Sequence, residues 1–330
     1  MQYGNLGGAS LRVSKFGLGT MTFGTGEGFA GLRPKTDEAA SAELISMAID
    51  HGVNVFDSSG HYNDGQAETI LGRAVKHRRD QVVISTKDPV FPEAEAGPVR
   101  AQVARNVEAS LRRLAVDTID IYQVGVMDLA HPLDEIGEGL DDVVRRGIVR
   151  HVGVTNFPAW RLERLSAASQ ARELAPIVAA QMSYSLLDRQ IELEYQPLLK
   201  ERGIGMLAWS PLAGGFLTGK YTAKNPDGDG GRLAAFGLQP IDREQGYDVV
   251  AALGEIAESH DVTPAAVALS WAASKPFVSS VVLGATSTDR LAANLKAAEL
   301  QLTPEDLGRL DALSAPPRPY PYWLYPSWPS

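Results

Sequence analysis

The sequence predicts an α/β protein built as a (β/α)₈ TIM barrel, with an N-terminal β-hairpin and a C-terminal tail rich in proline and aromatic residues. Three observations predict it. Runs of strand length, apolar or alternating, recur eight times between stretches of helical character. No break in composition marks a domain boundary, so residues 1–330 read as one domain. Ionisable residues also stand where successive strands end. Asp57 closes Val53-Asn-Val-Phe, Lys87 closes Val82-Val-Ile-Ser-Thr, and Tyr62 lies in the Gly-containing loop after the first. Strand C-termini ring one mouth of a barrel, so this placement gathers acid/base groups there.

In chain order, residues 1–14 carry short extended segments around Gly7-Gly8 and read as the hairpin. Phe16–Thr20 is the first barrel strand. A Gly-rich loop over 24–31 leads into a helix from Thr36, read as its cap, to His51. After the Asp57 strand comes a helix over Glu68–His77; after the Lys87 strand, one over Val99–Leu114. Thr118–Val124 is the fourth strand, followed by a helix over Leu133–Arg146. Val149–Thr155 is the fifth, with Pro158 suited to the first turn of the next helix. Ile177–Gln181 is the sixth and leads to a helix over Gln190–Arg202. Gly205–Ser210 and Ser280–Gly284 are the seventh and eighth, with a helix from near Thr288. Between the last two strands, residues 214–247 form a loop too long to be a mere connector. The tail, 315–330, holds six prolines among Tyr320, Tyr322, Trp323, Tyr325 and Trp328. It is expected to be irregular and to fold its rings over the barrel mouth.

Composition narrows the function. A formal net charge of −9 disfavours nucleic acid and anionic membrane as partners. The absence of cysteine removes disulfides, thiolate catalysis and Cys-ligated zinc. None of the six histidines has metal-ligand spacing, so no metal is expected. With neither a signal-like start nor an apolar run near the roughly 18 residues a membrane helix needs, a cytoplasmic protein is the expectation. Oligomeric state and substrate are not legible.

Two glycine patterns fail as nucleotide motifs. Gly17-Leu-Gly19 lacks the third glycine and the immediate helix of a dinucleotide fingerprint. Gly214-Gly-Phe-Leu-Thr-Gly219-Lys220 starts like a P-loop, but Tyr221 stands where a Ser or Thr must bind magnesium. Its glycines and Lys220 still suit a phosphate. Taken singly, Asp57 reads as a turn residue, Lys87 as an ion-pair lysine and Tyr62 as packing; their joint placement lifts them. Phe23, Phe29, Phe91 and Trp323 point to an apolar pocket.

Over nearly its whole length the chain resembles the aldo-keto reductase superfamily, in its bacterial aryl-alcohol dehydrogenase-like and potassium-channel β-subunit-like branch. The matching runs are Gly17–Met21, Asp57–Tyr62, Ser85–Lys87, Ser110–Leu114, Asp120–Gln123, Gly153–Phe157, Trp209–Gly215 and Gly284–Thr286 with Asn294, and the Tyr320-Pro-Tyr-Trp323 ending. The resemblance implies a barrel that binds NADPH without a Rossmann domain and acts on a small-molecule carbonyl or alcohol. It implies Tyr62 as general acid, Lys87 as the cation that lowers the tyrosine pKa, and Asp57 as the carboxylate that holds Lys87. Thr155, Asn156 and Gln181 would meet the nicotinamide carboxamide and Trp209 its ring. Thr20, Met21 and Asp57 would complete that end. Ser210, Pro211, Leu212, Gly214 and Lys220 would line the pyrophosphate, making 214–247 a cofactor loop. Arg232, Gly284, Thr286, Arg290 and Asn294 would meet the adenosine.

One departure matters most. Where the family carries histidine after Tyr-Gln-Val, this chain has Gly125, and the flanks align without a gap. Arg290 and Ala293 replace a common glutamine and glutamate at the adenosine end, leaving NADP favoured over NAD by Arg290 and Lys220. Gly125 leaves several readings open: a reductase for a bulky substrate, an engineered replacement, other chemistry such as C=C reduction, or a cofactor-sensing binding protein.

Overall fold

The computed structural model describes residues 1–26, 36–126, 131–228 and 241–325. Eight parallel strands close a barrel: β3 (Phe16–Gly19), β4 (Val55–Asp57), β5 (Val83–Val90), β6 (Ile119–Val126), β7 (Val149–Thr155), β8 (Ile177–Ser183), β9 (Gly205–Trp209) and β10 (Val278–Leu283), the last pairing back onto the first. Ahead of them β1 (Tyr3–Asn5) and β2 (Arg12–Ser14) form the antiparallel hairpin, in register Tyr3 to Ser14. Around the barrel lie α1 (Glu38–Asp50), α2 (Gln66–Val75), the short α3 (Glu93–Ala96), α4 (Val99–Leu114), α5 (Leu133–Arg145), α6 (Ala159–Ala171), α7 (Ile191–Arg202), α8 (Arg243–Ser259), α9 (Pro264–Ser274), α10 (Thr288–Leu295) and α11 (Pro304–Leu313). Among the described residues no helix is long and apolar enough to cross a membrane.

The barrel interior is layered, because side chains of a strand alternate between its faces. Inside the barrel, next to the hairpin, Val55, Val83, Ile121, Ala179, Leu207 and Val282 form an apolar plug with the hairpin's Leu6 and Val13. One or two pleats further along, the same faces turn polar: Asp57, Ser85, Lys87, Gln123 and Gln181 are all buried. That change places the chemistry at the C-terminal mouth. A second, larger core lies between strands and helices, from Phe16, Phe23 and Leu44 to Trp271 and Leu310.

The structure corrects several element boundaries. Asp37, not Thr36, caps α1: its carboxylate accepts the Ala40 N–H at 2.9 Å, while the Thr36 hydroxyl donates to the Thr22 carbonyl. A carboxylate is the better partner for the helix dipole. Pro158 sits at the cap position of α6 rather than in its first turn. The segment expected as a loop to residue 247 ends earlier, since Asp242 caps α8 by accepting from the N–H groups of Glu244 and Gln245. The tail does not bury its rings in its described part. Tyr320, Trp323 and Tyr325 are 74%, 60% and 49% exposed, and the Tyr322 hydroxyl donates to the Glu194 carboxylate at 2.7 Å. Residues 326–330, with Trp328, lie outside the described residues.

Candidate active site at the barrel mouth

Asp57 is the last residue of β4 and 3% exposed. Its neighbour β5 carries Ser85 level with it and Lys87 one pleat higher on the same face. Lys87 Nζ donates to Asp57 Oδ2 at 2.6 Å and to the Ser58 carbonyl at 2.9 Å. On the other carboxylate oxygen, Gln181 Nε2 donates at 2.7 Å and Ser85 Oγ at 3.2 Å. Gln123 Nε2 in turn donates to Ser85 Oγ at 2.9 Å. A buried carboxylate thus has a cation and two neutral donors around it, the condition for keeping its charge out of water.

Burial alone pulls the Lys87 ammonium toward losing its proton. The Asp57 carboxylate and the Tyr62 phenol outweigh it, so the Lys87 pKa lies above its ordinary value. Tyr62 is both a charge partner and a hydrogen-bond partner of the ammonium, whose nitrogen lies 4.9 Å from the ring centroid. The loop that carries Tyr62 is pinned from several sides. The Ser58 N–H donates to the Ser85 carbonyl at 2.8 Å, and Ser59 Oγ to the Lys87 carbonyl at 2.8 Å. Asn63 Nδ2 donates to the Phe23 carbonyl. Asn63, Asp64 and Gly65 all have positive φ, which turns the chain sharply into α2.

Across the mouth, Trp209 at the end of β9 donates its indole N–H to Asn156 Oδ1 at 3.0 Å. Asn156 follows β7 in a left-handed conformation, and its own N–H donates to the Gln181 carbonyl at 3.1 Å. From Ser210 to Gly219 five residues have positive φ: Ser210, Ala213, Gly214, Gly215 and Gly219. Within this turn the N–H groups of Ala213 and Gly215 donate to the Ser210 and Leu212 carbonyls, and that of Gly214 to Ser210 Oγ at 3.3 Å. A side chain at Gly215 would meet nothing within 4 Å, and Lys220 beyond it is exposed. Pro211 is buried and Leu212 half-buried beneath. After β10, Gly284 is exposed and Thr286 half-buried. Arg290 donates to Thr286 Oγ1 at 2.9 Å, and Asn294 lies buried one turn on. The strands order these groups around the rim, so the expected nicotinamide, pyrophosphate and adenosine contacts follow one arc over β7 to β10.

Some expected residues sit otherwise. Thr20 is sunk below the surface, its hydroxyl donating to Ser58 Oγ at 2.9 Å and its N–H to the Asp57 carbonyl. Met21, half-buried, lends its carbonyl to Asn63 Nδ2 at 3.4 Å. Gln181 spends its amide N–H on Asp57. Arg232 and Phe29 lie outside the described residues. Phe23 is wholly buried in the core between strands and helices. Gly125 pairs with Pro89 in regular β6 and has no positive φ, so the backbone does not require glycine there. His131 lies buried before α5, its carbonyl accepting from Arg161 Nη2 at 2.9 Å.

Other polar residues carry parts of the site that the ionisable pattern did not single out. Ser85 and Gln123 complete the Asp57 cage, and Ser59 ties down the Tyr62 loop. The signal for Ser85 is its spacing, two residues before Lys87 on an inward face. His61, next to Tyr62, pairs with the buried Asp88 at 2.9 Å and leans on Phe91. Among the described residues no group of three or more His, Asp and Glu side chains is arranged to hold a metal.

Comparison with known proteins bears on this geometry. The chain is 33% identical to the uncharacterized oxidoreductase YrpG of Bacillus subtilis (strain 168), over 94% of this chain and 95% of that protein. It is 33% identical to a probable voltage-gated potassium channel subunit beta of Arabidopsis thaliana, over 98% and 100% of the two chains. A protein of the same description from Oryza sativa subsp. japonica is 34% identical, over 95% and 96%. The profile of the Aldo/keto reductase family matches residues 15–315, from just before the first barrel strand to beyond the last helix, and the chain therefore belongs to the aldo/keto reductase family.

Proposed function

We propose that this protein is an NADPH-dependent oxidoreductase that reduces a carbonyl to its alcohol or runs the reverse reaction. The observation that carries the reading is the buried chain from Gln181 through Asp57 and Lys87 to Tyr62. Asp57 keeps the Lys87 ammonium charged where burial would discharge it. A charged ammonium against a phenol favours the tyrosinate, so Tyr62 releases its proton to a carbonyl oxygen more readily than a free tyrosine does. In the reverse direction the same tyrosinate takes the alcohol proton. Gln181 and Ser85 fix the carboxylate, which fixes the ammonium, which orients the phenol.

The arc over β7 to β10 fits an extended dinucleotide. Asn156 and Trp209 would hold the nicotinamide end, with Thr155 and Gln181 below. The segment from Ser210 to Gly219 would lie along the pyrophosphate, with the exposed Lys220 supplying positive charge. Thr286, Arg290 and Asn294 would meet the adenosine. Arg290, already oriented by Thr286, and Lys220 favour a 2′-phosphate and hence NADPH. Bound there, NADPH supplies the hydride.

Similarity to potassium channel β subunits supports a second reading, a binding partner that reports the state of its cofactor. Turnover separates the two. Trp fluorescence titration is expected to show NADPH binding more tightly than NADH. Tyr62→Phe is expected to lower aldehyde turnover by about 10²–10⁴-fold, the usual worth of a positioned proton donor, with NADPH affinity unchanged. Cofactor binding without turnover of any carbonyl or alcohol would favour the partner reading. No cofactor binding at all would end both.

A further inference from the structure

The end of the barrel away from the mouth carries a cavity that the proposed chemistry does not use. Lys15 joins β2 to β3, and its side chain lines a hollow of about 250 Å³. The other walls come from the end of α9, from the segment between α10 and α11, and from α11 itself. That volume lies just under the ~300 Å³ at which sites for drug-sized ligands begin, so an occupant is small. Phe16, Leu302 and Leu307 make part of the wall apolar.

Lys15 is half-buried, and its Nζ donates to the Val278 carbonyl at 2.6 Å. An ammonium has three N–H bonds, and among the described residues the other two have no protein partner. No described carboxylate pairs with it either, and burial, unopposed, lowers its pKa from the ordinary value. Lys87 is the contrast: there the Asp57 carboxylate and Tyr62 outweigh burial. A cation drawn out of water without a counter-charge is unfavourable until something negative reaches it. The backbone fixes where the Lys15 stem begins, since its N–H donates to the Gln2 carbonyl and its carbonyl accepts the Val281 N–H, both at 2.9 Å.

Two more donors border the hollow. The side-chain amides of Gln2 and Gln301 are exposed and make no hydrogen bond to the described protein. Ser270 and Ser274 direct their hydroxyl protons elsewhere, to the Leu300 and Trp271 carbonyls at 3.1 and 2.7 Å. One cation, two amides and an apolar wall suit a single negative charge shared by two oxygens on an apolar body. A phosphate dianion would find one cation and no arginine in the lining.

We propose that this cavity is a second ligand site, opposite the catalytic mouth, and that it takes a small carboxylate with an apolar body, held by Lys15 with Gln2 and Gln301. An occupant there touches the start of the hairpin, the first barrel strand, α9 and α11 together. Those walls meet only in the folded chain, so binding stabilises the fold. The site shares no residue with the arc expected to hold the cofactor.

The test uses titration calorimetry on the full chain, with benzoate as the probe and benzyl alcohol as its uncharged counterpart. Wild type is expected to bind one benzoate, and benzyl alcohol at least about tenfold more weakly, the low end for a hydrogen bond to a charged group. Lys15→Met keeps the apolar stem and removes the charge; it is expected to weaken benzoate roughly ten- to a hundredfold and leave NADPH affinity unchanged. Gln301→Glu, a change at an exposed position, supplies the counter-charge from the protein and is expected to weaken benzoate similarly. It decides the matter if Lys15→Met does not fold. Benzoate should raise the melting temperature of wild type and not that of either variant, and saturating NADPH should leave benzoate affinity as it was. The absence of saturable benzoate binding to wild type overturns the proposal. So does wild-type benzoate affinity in the folded variants, or displacement of benzoate by NADPH. None of these readouts uses turnover, so the outcome is independent of the reductase reading.

Discussion

Asp57 concentrates more of the molecule's electrostatics than any other side chain at the mouth. It receives Lys87, Gln181 and Ser85 while 3% exposed. Breaking such a pair from one side leaves a buried, uncompensated ammonium. Asp57→Asn is therefore expected to lower unfolding free energy by about 3–5 kcal/mol, read from urea denaturation, and to abolish turnover. The pH dependence of the pair has a definite sign. Lys87 is raised above its ordinary value of 10.5, so its contribution is complete below that pH and fades only as pH rises through the higher folded value. A wild-type stability falling near neutrality would have to come from other groups. The residues that carry charge at the mouth were legible in the sequence because carboxylate, phenol and ammonium stand at strand ends. Ser85 and Gln123 were not, because a neutral residue acquires its role only from the register that sets it beside Asp57. Gly125 shows the converse. Its presence is plain in the sequence, but that it lies in regular strand against the Thr155 methyl is a fact of pairing.

Helix α11 shows how much of an element can rest on its first turn. Thr303 Oγ1 accepts the Asp306 N–H at 3.1 Å, and the Asp306 carboxylate accepts the Thr303 N–H at 2.9 Å, a reciprocal capping box, with Pro304 at the first helical position. His260, at the end of α8, lies 3.0 Å from the same carboxylate and ties the two helices together. Burial pushes the Asp306 carboxyl up, but Thr303 and His260 hold its pKa below the ordinary 3.8. A depressed carboxylate contributes its stability in full above the unfolded value and loses it as pH falls through the folded one. Asp306→Ala is expected to cost about 1 kcal/mol at neutral pH, as cap losses do. The gap to wild type, measured by urea denaturation at stepped pH, should close below pH 3.8. A gap that persists there would make the packing of α11, not its cap, the source. The barrel strands and most of the helices between them were readable from periodicity, whereas α8 and α11 were not singled out. Helix α9 was missed as well, since Ala265–Ala273 is buried all round and leaves no polar face to mark a period.

At the scale of the whole molecule, the barrel separates stability from chemistry along its axis. The N-terminal end is closed by the hairpin, whose Leu6 and Val13 pack on Val55, Val83, Ile121, Ala179, Leu207 and Val282. The contact is close. The Gly8 N–H donates to the Gly203 carbonyl at 2.7 Å, and a Cβ at Gly7, whose φ is +55°, would fall 2.3 Å from that same carbonyl oxygen. Glycine is therefore required at position 7 by both conformation and contact. Leu6→Ala opens a cavity under a ring of strands that cannot collapse inward without breaking their ladder. It is expected to cost about 2–5 kcal/mol, the range for buried leucine truncations. The polar layer carrying Asp57 and Gln181 lies between this plug and the mouth. NADPH affinity at a temperature where the variant remains folded should equal that of wild type. The measurement pairs a denaturation midpoint with a fluorescence titration on one preparation. Lowered stability at unchanged affinity would confirm that the two ends act independently. Affinity falling in step with stability would show that the plug sets the spacing of the strands up to the mouth, and that hairpin substitutions tune the site.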